Sequence, residues 1–162
     1  MKKFLFPVVL AVIAAGILIG LFYDRDKREI RRVLERLCSA VESSGTESPA
    51  VAALKVAGAD QLFTDEFEVT VDIPQIKRSF PSVEAAKNIM LLKRYFKKIS
   101  LRFSNLKIDI NGSAAAVQCD AVMKMQNSSG MRREMREVTF VFSKDDGKWK
   151  IAEIEVTSPL EK

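Results

Sequence analysis

VTFVFSKDDGKWKI, residues 138–151, is the stretch whose reading decides the fold. Val138, Phe140 and Phe142 share one parity, so an extended chain here buries one face and wets the other. Asp146-Gly147 supplies a tight turn, because these residues tolerate the positive φ that two reversing strands require. Trp149 and Ile151 then resume the apolar face on the returning strand. Toward the N terminus, residues 127–130 form an earlier turn. Before it, Val117, Cys119, Ala121, Met123 and Met125 face one way against Gln118, Asp120 and Lys124. Asn111-Gly112 is another hairpin signal. Ahead of it, Ile99, Leu101 and Phe103 hold one parity while Leu106, Ile108 and Ile110 hold the other, which predicts a bulge at Ser104-Asn105. A parity change between Ile151 and Ile154 predicts a second. Four long antiparallel strands with two bulges make a strongly bent sheet.

The first half of the chain supplies helices. Ile30, Val33, Leu34, Leu37, Cys38 and Val41 recur at steps of three and four, one apolar stripe on a helix over 24–44, with Gly45 as its stop. Ser48-Pro49 reads as an N-cap and first residue of a short helix carrying Ala50, Val51, Ala53, Leu54 and Ala57, ended by Gly58. Phe67, Val69 and Val71 alternate with polar residues, a half-buried strand that Pro74 ends. Ser82 is placed to cap a third helix running to about Lys98, with Val83, Ala86, Ile89, Met90, the stem of Lys93 and Phe96 on its apolar side. The expected class is α+β: three helices packed on a strongly curved, mainly antiparallel sheet.

In this order of elements the chain resembles the NTF2-like superfamily, whose cone-shaped α+β fold is called cystatin-like. The resemblance rests on the paired N-terminal helices with a strand at 66–72, the helix at 82–98 before the long bent strand, and the closing hairpin, and it spans roughly residues 25–157. It implies membership of a group that includes isomerases and dehydratases, ligand carriers, and domains that only dimerise or scaffold. The enzymes of that group resemble one another in placing His with Asp, or Tyr with Asp, inside the cone. This chain departs from that pattern, having no histidine and, outside its apolar N-terminal run, Tyr95 as its only phenol.

The 162 residues include 26 Lys and Arg, 21 Asp and Glu and no histidine, for a formal charge of +5. Lack of histidine excludes Ser-His-Asp and Cys-His catalysis. Two cysteines, Cys38 and Cys119, lie too far apart in sequence for a zinc-finger pair, and no metal or cofactor is expected. Both fall on inward faces, which leaves two readings open: a disulfide joining helix to sheet in an exported domain, or small buried hydrophobes in a reducing compartment.

Phe4 to Tyr23 carries no charged side chain. As a helix these 20 residues would reach about 30 Å, the hydrocarbon thickness of a bilayer. The run lacks small residues at signal-cleavage positions, so we expect an uncleaved anchor over residues 1–23 followed by a domain over 24–162. Gly16 and Gly20 form a GxxxG spacing, which fits a helix-dimer face or the ordinary glycine content of membrane helices. Arg25, Lys27, Arg28, Arg31 and Arg32 follow at once. They would meet anionic headgroups or form a solvated face paired with neighbouring acids. Counted literally, these cations favour a cytoplasmic domain. Lys2-Lys3 ahead of an apolar run is how export signals begin, and we expect the domain outside the cytoplasm, on the periplasmic side of a bacterial inner membrane. The second basic group, Arg132, Arg133 and Arg136, lacks interleaved stacking aromatics, so nucleic acid is not an expected partner.

The leading expectation is a membrane-anchored, non-catalytic interaction or assembly module, forming a homodimer or joining a membrane-complex partner. It looks like bitopic inner-membrane components of type IV secretion, in which a similar domain follows one span. One alternative is a carrier holding a small apolar ligand in the cone among Tyr95, Phe103, Met123, Met125 and Phe140. The other is an acid–base enzyme using Asp65 or Glu66 with Tyr95.

Overall fold

The computed structural model of the protein describes the backbone of residues 5–72 and 75–157, with the side chains of Gly20 and of the residues from Phe22 onward within those ranges. The side chains of most of the expected anchor, Gly16 included, and Pro74 lie outside the described residues. Three helices, α1 (Leu5–Val41), α2 (Pro49–Val56) and α3 (Val83–Tyr95), pack on one six-stranded sheet. Its strands are β1 (Phe63–Val71), β2 (Ile76–Pro81), β3 (Lys98–Asn111), β4 (Ala114–Asn127), β5 (Gly130–Asp145) and β6 (Lys148–Val156). A short 3-10 turn, Ala59–Leu62, leads from α2 into β1. Among the described residues no helix is long and apolar enough to cross a membrane.

The strand order is β2-β1-β6-β5-β4-β3. Neighbours are antiparallel except β1 and β6, which run parallel, so the sheet is mixed. The alternation in β1 identifies a strand but carries no information on the direction of its partner. β2 is absent from the sequence reading: it is an exposed edge carrying Lys77 and Arg78, without the period that marks a half-buried strand. Both expected bulges are present. In β3 one extra residue falls between the Ser104–Asp120 and Lys107–Gln118 pairs, where Asn105 takes φ 54° and its Nδ2 donates to Asp120 Oδ2 at 2.6 Å. In β6 the pairing passes from Ile151–Phe142 to Glu153–Val141, leaving Ala152 over.

The sheet closes over the stripe of α1. Ile30, Val33, Leu34, Leu37 and Val41 are buried as their spacing requires, together with Ala40. They share one core with Val117, Phe140, Phe142, Trp149 and Ile151, all essentially sealed from solvent. Phe103 meets Phe140 edge-on, with centroids 5.2 Å apart.

Local details depart from the sequence-based expectation at several positions, among them Val83, which is exposed and not on an apolar side of α3. Ser82 is itself helical and makes no side-chain cap; instead its N–H donates to the Asp65 carbonyl at 2.8 Å, tying the start of α3 to β1. The apolar side of α2 faces outward at Val51 and Leu54, and Val56 is the residue that reaches the core. Ser48 does cap α2, its Oγ accepting from the Val51 N–H at 3.3 Å.

Gly45 does not cap α1, which ends at Val41 so that Ser43 can bridge to Ile99. It is needed for another reason. At φ +80° it passes the β3 entrance so closely that a Cβ would lie 2.8 Å from the Lys97 carbonyl oxygen. Gly45→Ala therefore meets both backbone strain and a backbone clash, and should destabilise by about 1–3 kcal/mol. The reference is Gly112→Ala, also at positive φ but with open space around it. Urea titration of both variants checks this; equal losses would show that the close passage past Lys97 contributes nothing.

Candidate functional site

The five expected cone residues are not gathered round a cavity. Phe140 and Met125 are buried in the core, Phe103 and Met123 pack against it, and Tyr95 is 72% exposed, its ring edge-on to Phe96. Asp65 and Glu66 are exposed at the start of β1. Glu66 pairs with Pro81 and Asp65 accepts from Ser82, so both lie near the start of α3. Tyr95 is the last residue of that helix, about 18 Å further along at 1.5 Å per residue. No acid–base pair forms between them. Among the described residues no polar or charged residue is buried as a whole, and no group of His, Cys, Asp and Glu is placed to hold a metal ion.

Cys38 is half-buried on α1 and Cys119 buried on β4, both as free thiols. Burial, with Glu42 nearby, pushes the Cys38 thiol up to about 11; burial, with Asp120 and Cys38 itself adding negative charge, pushes Cys119 up to about 12. Neither is an activated nucleophile. Lys93 buries its side chain against α2's entrance, with Nζ 4.0 Å from Glu47, and loss of hydration lowers its pKa. Glu47 is held below the ordinary carboxylate range by Lys55.

A large opening lies outside the cone, between the second half of α1, from Arg25 to Arg36, and the β5–β6 turn. It is a cleft of about 970 Å³. Arg25, Arg28, Arg32 and Arg36 line one wall, Lys148 and Lys150 the other, and Trp149 and Leu62 are among the apolar residues between. The expected juxtamembrane cluster therefore divides. Arg31 lines a separate groove of about 480 Å³ against Leu101 and Phe103 of β3, and Lys27 sits 4.3 Å over the Tyr23 ring. No local signal in the sequence places the hairpin's Lys148 and Lys150 beside α1.

The acids of α1 do not pair with these arginines. Lys144 Nζ donates to Asp26 Oδ1 at 2.9 Å, and the Trp149 backbone N–H donates to Glu29 Oε1 at 3.2 Å, two ties that hold α1 to the hairpin. Burial pushes the Asp26 carboxyl up, but Lys144 and the nearby Trp149 indole outweigh it and hold the group below its usual range. That indole N–H is buried without a completed hydrogen bond, and Lys144 stands 5.3 Å over its ring.

This fold and these residues define the class. The SnoaL-like domain family matches residues 30–160, and the chain belongs to that family. Among solved structures it is similar to an NTF2-like protein with a cystatin-like fold from Novosphingobium aromaticivorans, at TM-score 0.70 and 15% identity over 91% of this chain and 90% of that one. It is similar also to a candidate dehydratase of the NTF2-like family from Streptomyces avermitilis, at TM-score 0.65 and 12% identity over 86% and 99%. A third is a protein of unknown function from Mycobacterium tuberculosis, at TM-score 0.62 and 16% identity over 79% and 72%. At these identities the likeness is one of fold. No curated protein matches the sequence.

Two outcomes follow from this electrostatics. A carboxylate whose pKa is lowered by folding stabilises above its unfolded value of about 3.9 and loses that contribution as pH falls through the folded value. Lys144→Met should cost about 1 kcal/mol at pH 7, and the gap to wild type should narrow, without closing, as pH drops below about 4. The residue of the gap is the lost contact with Trp149. Urea melts across pH measure it, and a pH-independent gap would show that Asp26 takes no part. The thiols should resist maleimide at pH 8 in the native state and react in urea; rapid native labelling of Cys38 would contradict its raised pKa.

Proposed function

We propose that this SnoaL-like chain is a non-catalytic interaction module, tethered to a bilayer through residues 4–23 and self-associating at the membrane surface. The observation that carries this reading is the filled cone. Where the fold's enzymes would hold acid–base groups, this chain packs Val117, Phe140, Phe142, Trp149 and Ile151. General acid–base work needs a positioned, titratable group within reach of a substrate, and an apolar interior offers none. The carrier reading loses support because Met125 and Phe140 are buried in the core, and the groove that Phe103 does line holds none of the other expected ligand residues.

Association is supported by apolar side chains left on the two short helices. Leu54 of α2 is 74% exposed and Leu91 of α3 51%, and the two helices touch. Exposed large aliphatics on adjacent elements suit a partner of like surface, and a second copy of the chain is the simplest one. The tether is supported by the apolar composition of residues 4–23 and by the continuity of α1, whose backbone is helical from Leu5 into the domain. Outside the cytoplasm remains the compartment we propose.

The test uses the full chain in cell membranes. Carbonate washing should leave it in the pellet, a reporter fused at Lys162 should be active only when exported, and crosslinking should give a dimer. Leu54→Glu with Leu91→Glu should abolish the dimer and leave far-UV circular dichroism unchanged. Release by carbonate would overturn the tether, and a strict monomer before substitution would overturn the association.

A further inference from the structure

We propose that the cleft between α1 and the β5–β6 turn is a binding site for a multiply charged phosphate-type oxyanion. This goes beyond the reading above and stands whether or not the chain spans a membrane. The first observation is the spacing of the arginines. Arg25, Arg28, Arg32 and Arg36 follow at steps of three, four and four, so they form one ladder up one side of α1, about 16 Å long. All four are exposed and all four line the same cleft. The second is what faces them. The β5–β6 hairpin brings Lys148 and Lys150 to the opposite wall, so cations enclose the opening from two elements far apart in sequence.

The third observation is the lack of neutralisation. Three carboxylates also line the cleft, Glu29, Asp145 and Asp146. Asp145 is taken by Lys150 at 2.7 Å, and Glu29, which accepts the Trp149 backbone N–H, and Asp146 are the remaining negative charges, outnumbered by the four arginines and Lys148. Among the described residues, none of the four arginines nor Lys148 has an ion-pair partner. An arginine-rich wall suits planar, bidentate recognition of oxyanions, and the surplus of charge calls for a ligand with more than one negative charge. Phosphate groups meet both requirements. They arrive on a soluble phosphate compound or on anionic lipid headgroups, which Arg25, two residues past Tyr23, would reach first.

The chain's only tryptophan lies at this cleft and serves as reporter. The full chain in an uncharged detergent is titrated with inorganic pyrophosphate, and the full chain in nanodiscs is compared between phosphatidylcholine alone and phosphatidylcholine with phosphatidylglycerol. Trp149 emission and calorimetric heat are read in each. Saturable change with pyrophosphate assigns a soluble phosphate source; change only with phosphatidylglycerol assigns the headgroup. In either arm Arg28→Gln with Arg32→Gln should weaken binding by about tenfold or more, as expected for losing two charge-assisted contacts. Arg31→Gln, on the other groove, should leave it unchanged. Neither emission nor heat changing with either probe would overturn the proposal, and so would equal weakening by Arg31→Gln. Carbonate release of the chain would leave this result standing, so the two readings fail separately.

Discussion

The burial of one helical stripe into the hollow of a bent sheet is the contact on which the rest of the molecule depends. Ile30, Val33, Leu34 and Leu37 share one buried core with residues of β3, β6 and the 3-10 turn at Ala59–Leu62, the elements that α1 meets most. Fully burying a large aliphatic or aromatic side chain contributes roughly 1.5–3 kcal/mol, before the entropy of ordering is set against it. A flat sheet would touch a helix along a narrow line. The extra residue near Asn105 bends the edge strand β3 and the one at Ala152 bends the interior strand β6, and Phe103, Phe140 and Ile151 join one core with the helix stripe. Curvature and helix packing are therefore one requirement, met by two inserted residues.

The same contact explains why the interior is dry. Once Phe140, Phe142 and Trp149 fill the space beneath α1, an uncompensated polar group there would cost several kcal/mol. Among the described residues, the buried side-chain polar atoms without a hydrogen bond, Trp149 Nε1, Lys93 Nζ and Glu47 Oε2, sit where helices meet the rest of the fold. Chemistry is thereby displaced to the outside of α1, whose exposed side carries most of its charges.

Elements with one buried face were legible in the sequence because burial imposes a period. The α1 stripe, the alternation of β4 and β5, and both bulges were all readable as parity or as steps of three and four. β2 was not, since an exposed edge strand satisfies no periodic constraint and is held by its pairing with β1. The role of Gly45 was hidden for a related reason: nothing local distinguishes a helix stop from a close passage past Lys97. For the site, the basic residues after Tyr23 were visible as a cluster, but a list of charges has no sides. Only the docking of α1 separates Arg28 and Arg32 from Arg31, and only the hairpin's position sets Lys148 beside them.

That separation bears on what the helix is for. Arg28, Arg32 and Arg36 stand at successive four-residue steps, and each such like-charge pair costs a helix about 0.2–0.5 kcal/mol. Acids nearby on α1 could offset this, yet Asp26 and Glu29 are committed to the β5–β6 hairpin, and Glu35 faces the other groove. Stability alone would interleave the charges, as it does on β5, where Glu134 lies between Arg132 and Arg136 and pairs with both. A local rule broken on one face and kept on another marks a place where something besides folding is being served. Here the uncompensated charge lies along a cleft open to solvent, so an anion entering it would relieve the repulsion that the fold itself leaves in place.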